Sequence, residues 1–175
     1  VVPEREYRQF RKLEGPVLMP APQEVDWSGG EFTVQDGTPV YFQKQTRSEA
    51  IVNCLVEEVE SMFGIRLKPV EEEGNESAKN APGAIVLGEI RSNSLASELA
   101  KNRGWKINAE RPGPQGYYLS SRPDGILICG YDQAGTFYGV QTLLQLLVRS
   151  RSGAVARGVD IRDWPYLPWR ISDRR

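Results

Sequence analysis

Three stretches of the chain carry apolar residues at helical spacing. Ile51, Val52, Leu55, Val56, Val59, Met62 and Phe63 recur every three to four positions, which predicts a helix that stops at Gly64. Ahead of it, Thr46-Arg47-Ser48-Glu49 has capping-box spacing, so the Thr hydroxyl and the Glu carboxylate can each satisfy a free amide of the first turn. Glu57, Glu58 and Glu60 fall mainly off the stripe and read as a solvated face, not as an acid/base pair. A shorter helix is expected at about 93–103, with Leu95 and Leu99 inward and Gly104 as terminator. The third, about 133–148, follows Asp132 as N-cap and turns Phe137, Val140, Leu143, Leu144 and Leu147 inward.

Between these lie runs that read as strands. Phe32-Thr33-Val34 and Val40-Tyr41-Phe42 flank Asp36-Gly37, which predicts a hairpin. Ile65–Val70 and Ala84–Leu87 follow the first helix. Tyr117-Tyr118-Leu119 and Ile126–Cys129 flank Arg122-Pro123-Asp124-Gly125, where Pro presets φ and Gly accepts a positive one. A last strand is expected near Val159-Asp160-Ile161. Strands in adjacent pairs punctuated by helices predict an α+β fold, a mixed β-sheet with helices packed on one face. Strict β-α-β alternation is not the pattern.

Composition narrows the chemistry. At 175 residues the chain has room for one domain with a substantial core. The 22 basic and 23 acidic side chains nearly cancel, which argues against a nucleic-acid or membrane-surface partner. There is no histidine, so Ser-His-Asp and Cys-His nucleophilic systems are excluded within this chain, together with most zinc sites. No cofactor is implied. Cys54 and Cys129 are too few for a disulfide framework or a thiolate cage; they read as buried free thiols, with one disulfide between them as the alternative. No stretch approaches the ~18 apolar residues of a membrane span. The N-terminus lacks an apolar signal core, and residues 1–15 read as a loose arm. Glu71-Glu72-Glu73-Gly74-Asn75-Glu76 reads as an exposed loop without cation-ligand spacing. Gly135 and Gly139, four apart on the third helix, point to close packing of helix on sheet. Trp105, Tyr117, Tyr118 and Tyr131 are scattered aromatics, core or rim by default and a sugar-stacking platform as the functional alternative.

Residues 149–175 differ in texture. Seven Arg stand against three Asp, a local excess of four positive charges, and Asp163-Trp164-Pro165-Tyr166-Leu167-Pro168-Trp169-Arg170 interrupts them. Two prolines and several large aromatics make that segment too apolar for a solvated tail. It reads as extended chain made to pack on something.

These residues carry a resemblance. Leu18-Met19-Pro20-Ala21-Pro22-Gln23, Gly116-Tyr117-Tyr118-Leu119, Ile126–Gly130 and above all Gly135-Thr136-Phe137-Tyr138-Gly139-Val140-Gln141-Thr142-Leu143 resemble the domain that precedes the catalytic barrel in family 20 glycoside hydrolases, the β-N-acetylhexosaminidases. Val159–Pro165 and Trp169-Arg170 resemble its exit into the barrel, and similar domains precede the barrels of family 84 enzymes. The resemblance covers about residues 16–170. It implies a zincin-like α+β shape without a metal centre. It also implies that catalysis is retaining and substrate-assisted, carried by an Asp-Glu pair of a barrel that this chain does not contain. Catalytic residues are therefore expected to be none, and metal ligands none. Arg170 alone matches a family position, that of the Arg binding hydroxyls of the terminal sugar; the family's following Gly is replaced here by Ile171.

The resulting expectation is a loose arm at 1–15, an accessory domain at 16–163 and an exit segment at 164–175. The domain would be non-catalytic, with the catalytic (β/α)8 barrel of the parent protein as its partner and N-acetylhexosamine-containing glycans as the parent's ligands. Kinship alone suggests a periplasmic or extracellular parent. A stand-alone carbohydrate-binding module using Tyr117, Trp164 and Trp169 is the alternative.

Overall fold

A computed structural model of the chain describes residues 15–43, 48–71, 82–90, 94–106, 108 and 110–165. Along it run β1 (Glu24–Val34), β2 (Pro39–Phe42), α1 (Ser48–Phe63), β3 (Lys68–Glu71), β4 (Ala84–Glu89), α2 (Ser94–Asn102), β5 (Tyr117–Arg122), β6 (Gly125–Gly130), α3 (Gln133–Leu146), β7 (Leu147–Ser150) and β8 (Gly153–Asp163). The strands form one mixed sheet in the order β1-β8-β5-β6-β4-β2-β3, with β7 also paired to β8. β3, β2, β4 and β6 are parallel neighbours, whereas β6, β5, β8 and β1 alternate in direction. The expected α+β class with a mixed sheet is what forms.

The expected hairpin at Asp36-Gly37 does not form. The turn is there, but β1 pairs with β8 and β2 pairs with β3 and β4. Its bonds go elsewhere: Gly37 N–H donates to the Arg66 carbonyl, and Asp36 Oδ1 accepts from Arg66 N–H, which ties the turn to the approach to β3. The arrangement also dictates the sheet's shape. Val34 and Pro39 are five peptide links apart, a reach of at most about 18 Å, yet β1 and β2 stand five strand spacings apart, about 24 Å in a flat sheet. The sheet must coil to bring them together.

Alternation along the central strands builds two cores. Ile85, Leu87, Ile126, Ile128 and Leu119 point to one face, where α1 lays down Ile51, Val52, Leu55 and Val59 and α3 lays down Val140, Leu143, Leu144 and Leu146. Val86, Leu127 and Cys129 point the other way and meet Ala96 and Ala100 of α2 with Trp105 and Tyr118. The expectation of helices on one face therefore holds for α1 and α3, while α2 covers the second face. Its short Ala-rich side fits closely, and Gly104 ends it in a Schellman arrangement: Gly104 N–H donates to the Lys101 carbonyl and Trp105 N–H to that of Ala100.

Other boundaries shift. β7 begins where α3 was expected to continue, because Leu147 turns extended and the chain doubles back through Arg151-Ser152 into β8. β8 is correspondingly far longer than the expected Val159–Ile161. Pro123-Asp124 joins β5 to β6 in the hairpin that the sequence predicts, with Arg122 opposite Gly125. Thr46 of the predicted capping box, most of the acidic 71–76 run and the Leu95 side chain lie outside the described residues.

Candidate functional site

The sequence offered one site residue, Arg170, which lies outside the described residues together with Tyr166–Trp169. What can be built is the surface beside it. Among the described residues no three His, Cys, Asp or Glu side chains gather into a metal set. Both cysteines are free: Cys129 is buried as expected, whereas Cys54 is only half-buried. No disulfide joins them.

The aromatic platform does not assemble. Tyr117 is 2% exposed, and its hydroxyl lies 2.5 Å from Thr142 Oγ1 beneath α3. Trp105 and Tyr118 are buried against each other with ring centroids 4.9 Å apart. Tyr131 is half-buried in the bend before α3. Tyr117, offered as a stacking residue of a carbohydrate-binding module, thus has no free face.

The most specific sequence run, Gly135–Leu143, turns out to be a packing device. Asp132 caps α3, its Oδ1 accepting from Gly135 N–H at 2.9 Å while Oδ2 accepts from Gln115 N–H at 3.0 Å. A Cβ at Gly135 would lie 2.1 Å from the Gly116 carbonyl oxygen. One at Gly139 would lie 2.5 Å from Ile128 Cγ2. With both side chains absent the helix backbone settles directly on β5 and β6, as the four-residue glycine spacing led us to expect. The inward face of α3 is then Gly135, Thr136, Gly139, Val140, Thr142, Leu143, Leu144 and Leu146, and Phe137 faces out, 38% exposed. Expecting it in the core was an error of phase.

Phe137 is not alone. The exposed large apolar side chains of the described residues are Val17, Met19, Met62, Phe137 and Val148. Met19 N–H donates to Gln145 Oε1 near the end of α3, and Arg149, next to Val148, donates to the Met62 and Phe63 carbonyls that end α1. Met62, predicted inward, is 44% exposed at the same end of the helix pair, and Met19, tied to Gln145, is 75% exposed. Gln141 Nε2 reaches Cys54 Sγ at 3.7 Å and bridges the two helices midway. Phe137 and Met62 therefore stand on the outer side of the α1–α3 layer among the exposed Glu49, Glu57, Glu58 and Glu60 of α1, whereas Val148 lies on β7 opposite Val155. The opposite face of the sheet, beyond α2, instead presents Arg122, Asp160 and Arg162, with Arg122 Nη2 3.1 Å from Asp160 Oδ2.

The third feature is where the chain leaves β8. Asp163 is half-buried, and burial raises its carboxyl above the ordinary carboxylate range; donation from the Gln23 and Trp164 amides and the Tyr117 hydroxyl pulls it back in part. Burial likewise raises Tyr117 well above a free phenol.

Against known proteins, a family model described as glycosyl hydrolase family 20, domain 2, matches residues 15–164. A curated relative, a beta-hexosaminidase of Porphyromonas gingivalis (strain ATCC BAA-308 / W83), is 28% identical over 160 residues, which is 87% of this chain and 18% of that protein. This chain thus spans under a fifth of that relative's length. Among solved structures, Streptomyces plicatus N-acetyl-beta-hexosaminidase in complex with Thio-NAglucal has a TM-score of 0.62 at 26% identity, covering 86% of this chain and 26% of its own. The beta-N-acetylhexosaminidase from Bacteroides fragilis NCTC 9343 shares the fold with a TM-score of 0.61 at 20% identity, covering 89% of this chain and 26% of its own.

Proposed function

We propose, because this chain belongs to the family of glycosyl hydrolase family 20, domain 2, that it is the non-catalytic accessory domain of a β-N-acetylhexosaminidase-like glycosidase. It packs by the outer side of α1 and α3, and by the segment that starts at Trp164, against a catalytic barrel, and it supports that barrel's active-site architecture. The observation that carries this reading is the exposure of Phe137 on α3, Met62 on α1 and Met19, which is tied to α3 through Gln145. Large apolar side chains exposed on one side of a folded domain suit a contact surface. The glycines that let α3 sink onto the sheet lie in the same run that sets Phe137 outward. Arg170 is the one residue the chain would lend to the sugar pocket, its guanidinium suited to hydroxyl acceptors.

Chemistry then belongs to the partner domain. The purified chain should release no chromophore from a chromogenic N-acetylglucosaminide above a heat-denatured control. Turnover above that control would refute the assignment.

A further inference from the structure

We infer that Gln23, Arg111 and Asp163 form a clasp that fixes the direction in which the chain leaves β8. Two segments distant in sequence converge on Asp163 and Trp164. Gln23 N–H donates to Asp163 Oδ1 at 3.2 Å, and Gln23 Nε2 donates to the Trp164 carbonyl at 3.4 Å. The Arg111 guanidinium lies over the Trp164 indole, 5.8 Å from its centroid, and Arg111 Nη1 is 3.9 Å from Glu24 Oε1. Glu24 Oε2 in turn meets Arg162 Nη1 at 3.2 Å, so Glu24 sits between the last strand and the clasping loop.

The loop that presents Arg111 is itself fixed. Asn108 Oδ1 accepts from the Glu110 and Arg111 amides, and Gly113 N–H and Gly116 N–H donate back along the loop to Asn108 and Gly113. Tyr131 N–H donates to the Gly116 carbonyl, and Asp132 holds Gln115. At Gly116 a Cβ would lie 2.9 Å from the Asp163 carbonyl oxygen and 2.5 Å from Pro112 Cβ, so the loop rests directly on the exit backbone. Asp163 is the last residue of β8 with a strand partner, opposite Tyr117. The residue after a last pair ordinarily frays. Here side chains from outside the strand hold it, which passes the orientation of the sheet and of the α3 N-terminus on to Trp164. That this orientation positions a catalytic domain rests on the reading above; the clasp itself does not.

The test uses the 175-residue chain alone, so its result is independent of whether a barrel follows. In the Gln23→Ala/Arg111→Ala double variant, amide exchange at Trp164 should accelerate about tenfold, roughly what loss of one or two weak contacts allows. The Trp164 backbone order parameter should fall from about 0.85 toward 0.6, while the amides of β6 keep their protection. Unchanged exchange at Trp164, or acceleration spread evenly over the sheet, would overturn the clasp. If the double variant does not fold, Gln23→Met keeps the shape without the donor and Arg111→Lys keeps the charge without the planar face. The same local loss is expected of each, and unchanged Trp164 exchange in both overturns the proposal.

Discussion

The two faces of the sheet share the same central strands but end differently. On one, Ile85, Leu87, Ile126 and Ile128 disappear under α1 and α3, and the helices leave Met62 and Phe137 exposed on the outside. On the other, Val86, Leu127 and Cys129 are covered by one short helix, and the strands beyond it turn to Arg122, Asp160 and Arg162. The outer side of the helices is mixed, with Phe137 and Met62 set among the exposed Glu49, Glu57, Glu58 and Glu60 of α1. A face that passes from a small core to ion pairs is built to meet water. The difference is what supports placing the proposed contact surface on the helix pair.

Changes at the α3–sheet contact should have the largest effect. In Gly135→Val the new side chain starts 2.1 Å from a backbone oxygen that cannot step aside, so about 3 kcal/mol or more of stability should be lost. Urea unfolding measures it. Leu143→Ala, at the centre of the larger core, should cost about 3 kcal/mol. Ala100→Gly, its counterpart on the α2 face, should cost about 1 kcal/mol; equal losses would mean that the faces do not differ as described.

On the outer side of the helices the expectation inverts. Phe137→Ser should change stability by no more than about 0.5 kcal/mol, since the ring packs outward, yet weaken association with a catalytic domain. A large loss of stability would return Phe137 to the core. Thiol labelling separates the faces again. Burial pushes the Cys129 thiol up to about 12, so at pH 8 one thiol, Cys54, should react in the native chain and both after denaturation.

The smallest effect concerns Asp163. Burial raises its folded-state pKa above the ordinary 3.8, so the folded chain holds the proton more tightly than the unfolded chain does. The stability this contributes is complete below the unfolded value and is lost as pH rises through the raised one. The Tm of Asp163→Asn relative to the unaltered chain should therefore improve as pH is raised from 3.8 through the raised value and then level off.

The sequence declared what short-range chemistry controls. Asp132 announced the start of α3, and Pro123-Asp124-Gly125 announced the β5–β6 hairpin, because both signals act within a few residues. Pairing of β1 with β8 joins residues about 130 apart and leaves no local trace, so Asp36-Gly37 looked like a hairpin when it is only a turn. β7 was hidden because Leu146-Leu147-Val148 prolongs the helical stripe. Phe137 misled for a related reason. The face of α3 that meets the sheet is rich in Gly and Thr, which carry little hydrophobic signal, so the pattern tilts toward the large ring on the other side. Of the candidate site, the glycine spacing was legible and the exposure of Phe137 and Met62 was not, since exposure is settled by three-dimensional neighbours.

The central claim is that the outer side of α1 and α3 is covered in the working protein. The chain has two methionines, and both are exposed, Met62 on α1 at 44% and Met19, tied to α3 through Gln145, at 75%. Oxidative footprinting of this chain alone, compared with the same segment joined to its catalytic domain, reads the claim directly. Rapid oxidation of both methionines in the isolated chain and strong protection in the joined protein is the predicted result. Equal rates in the two would contradict it.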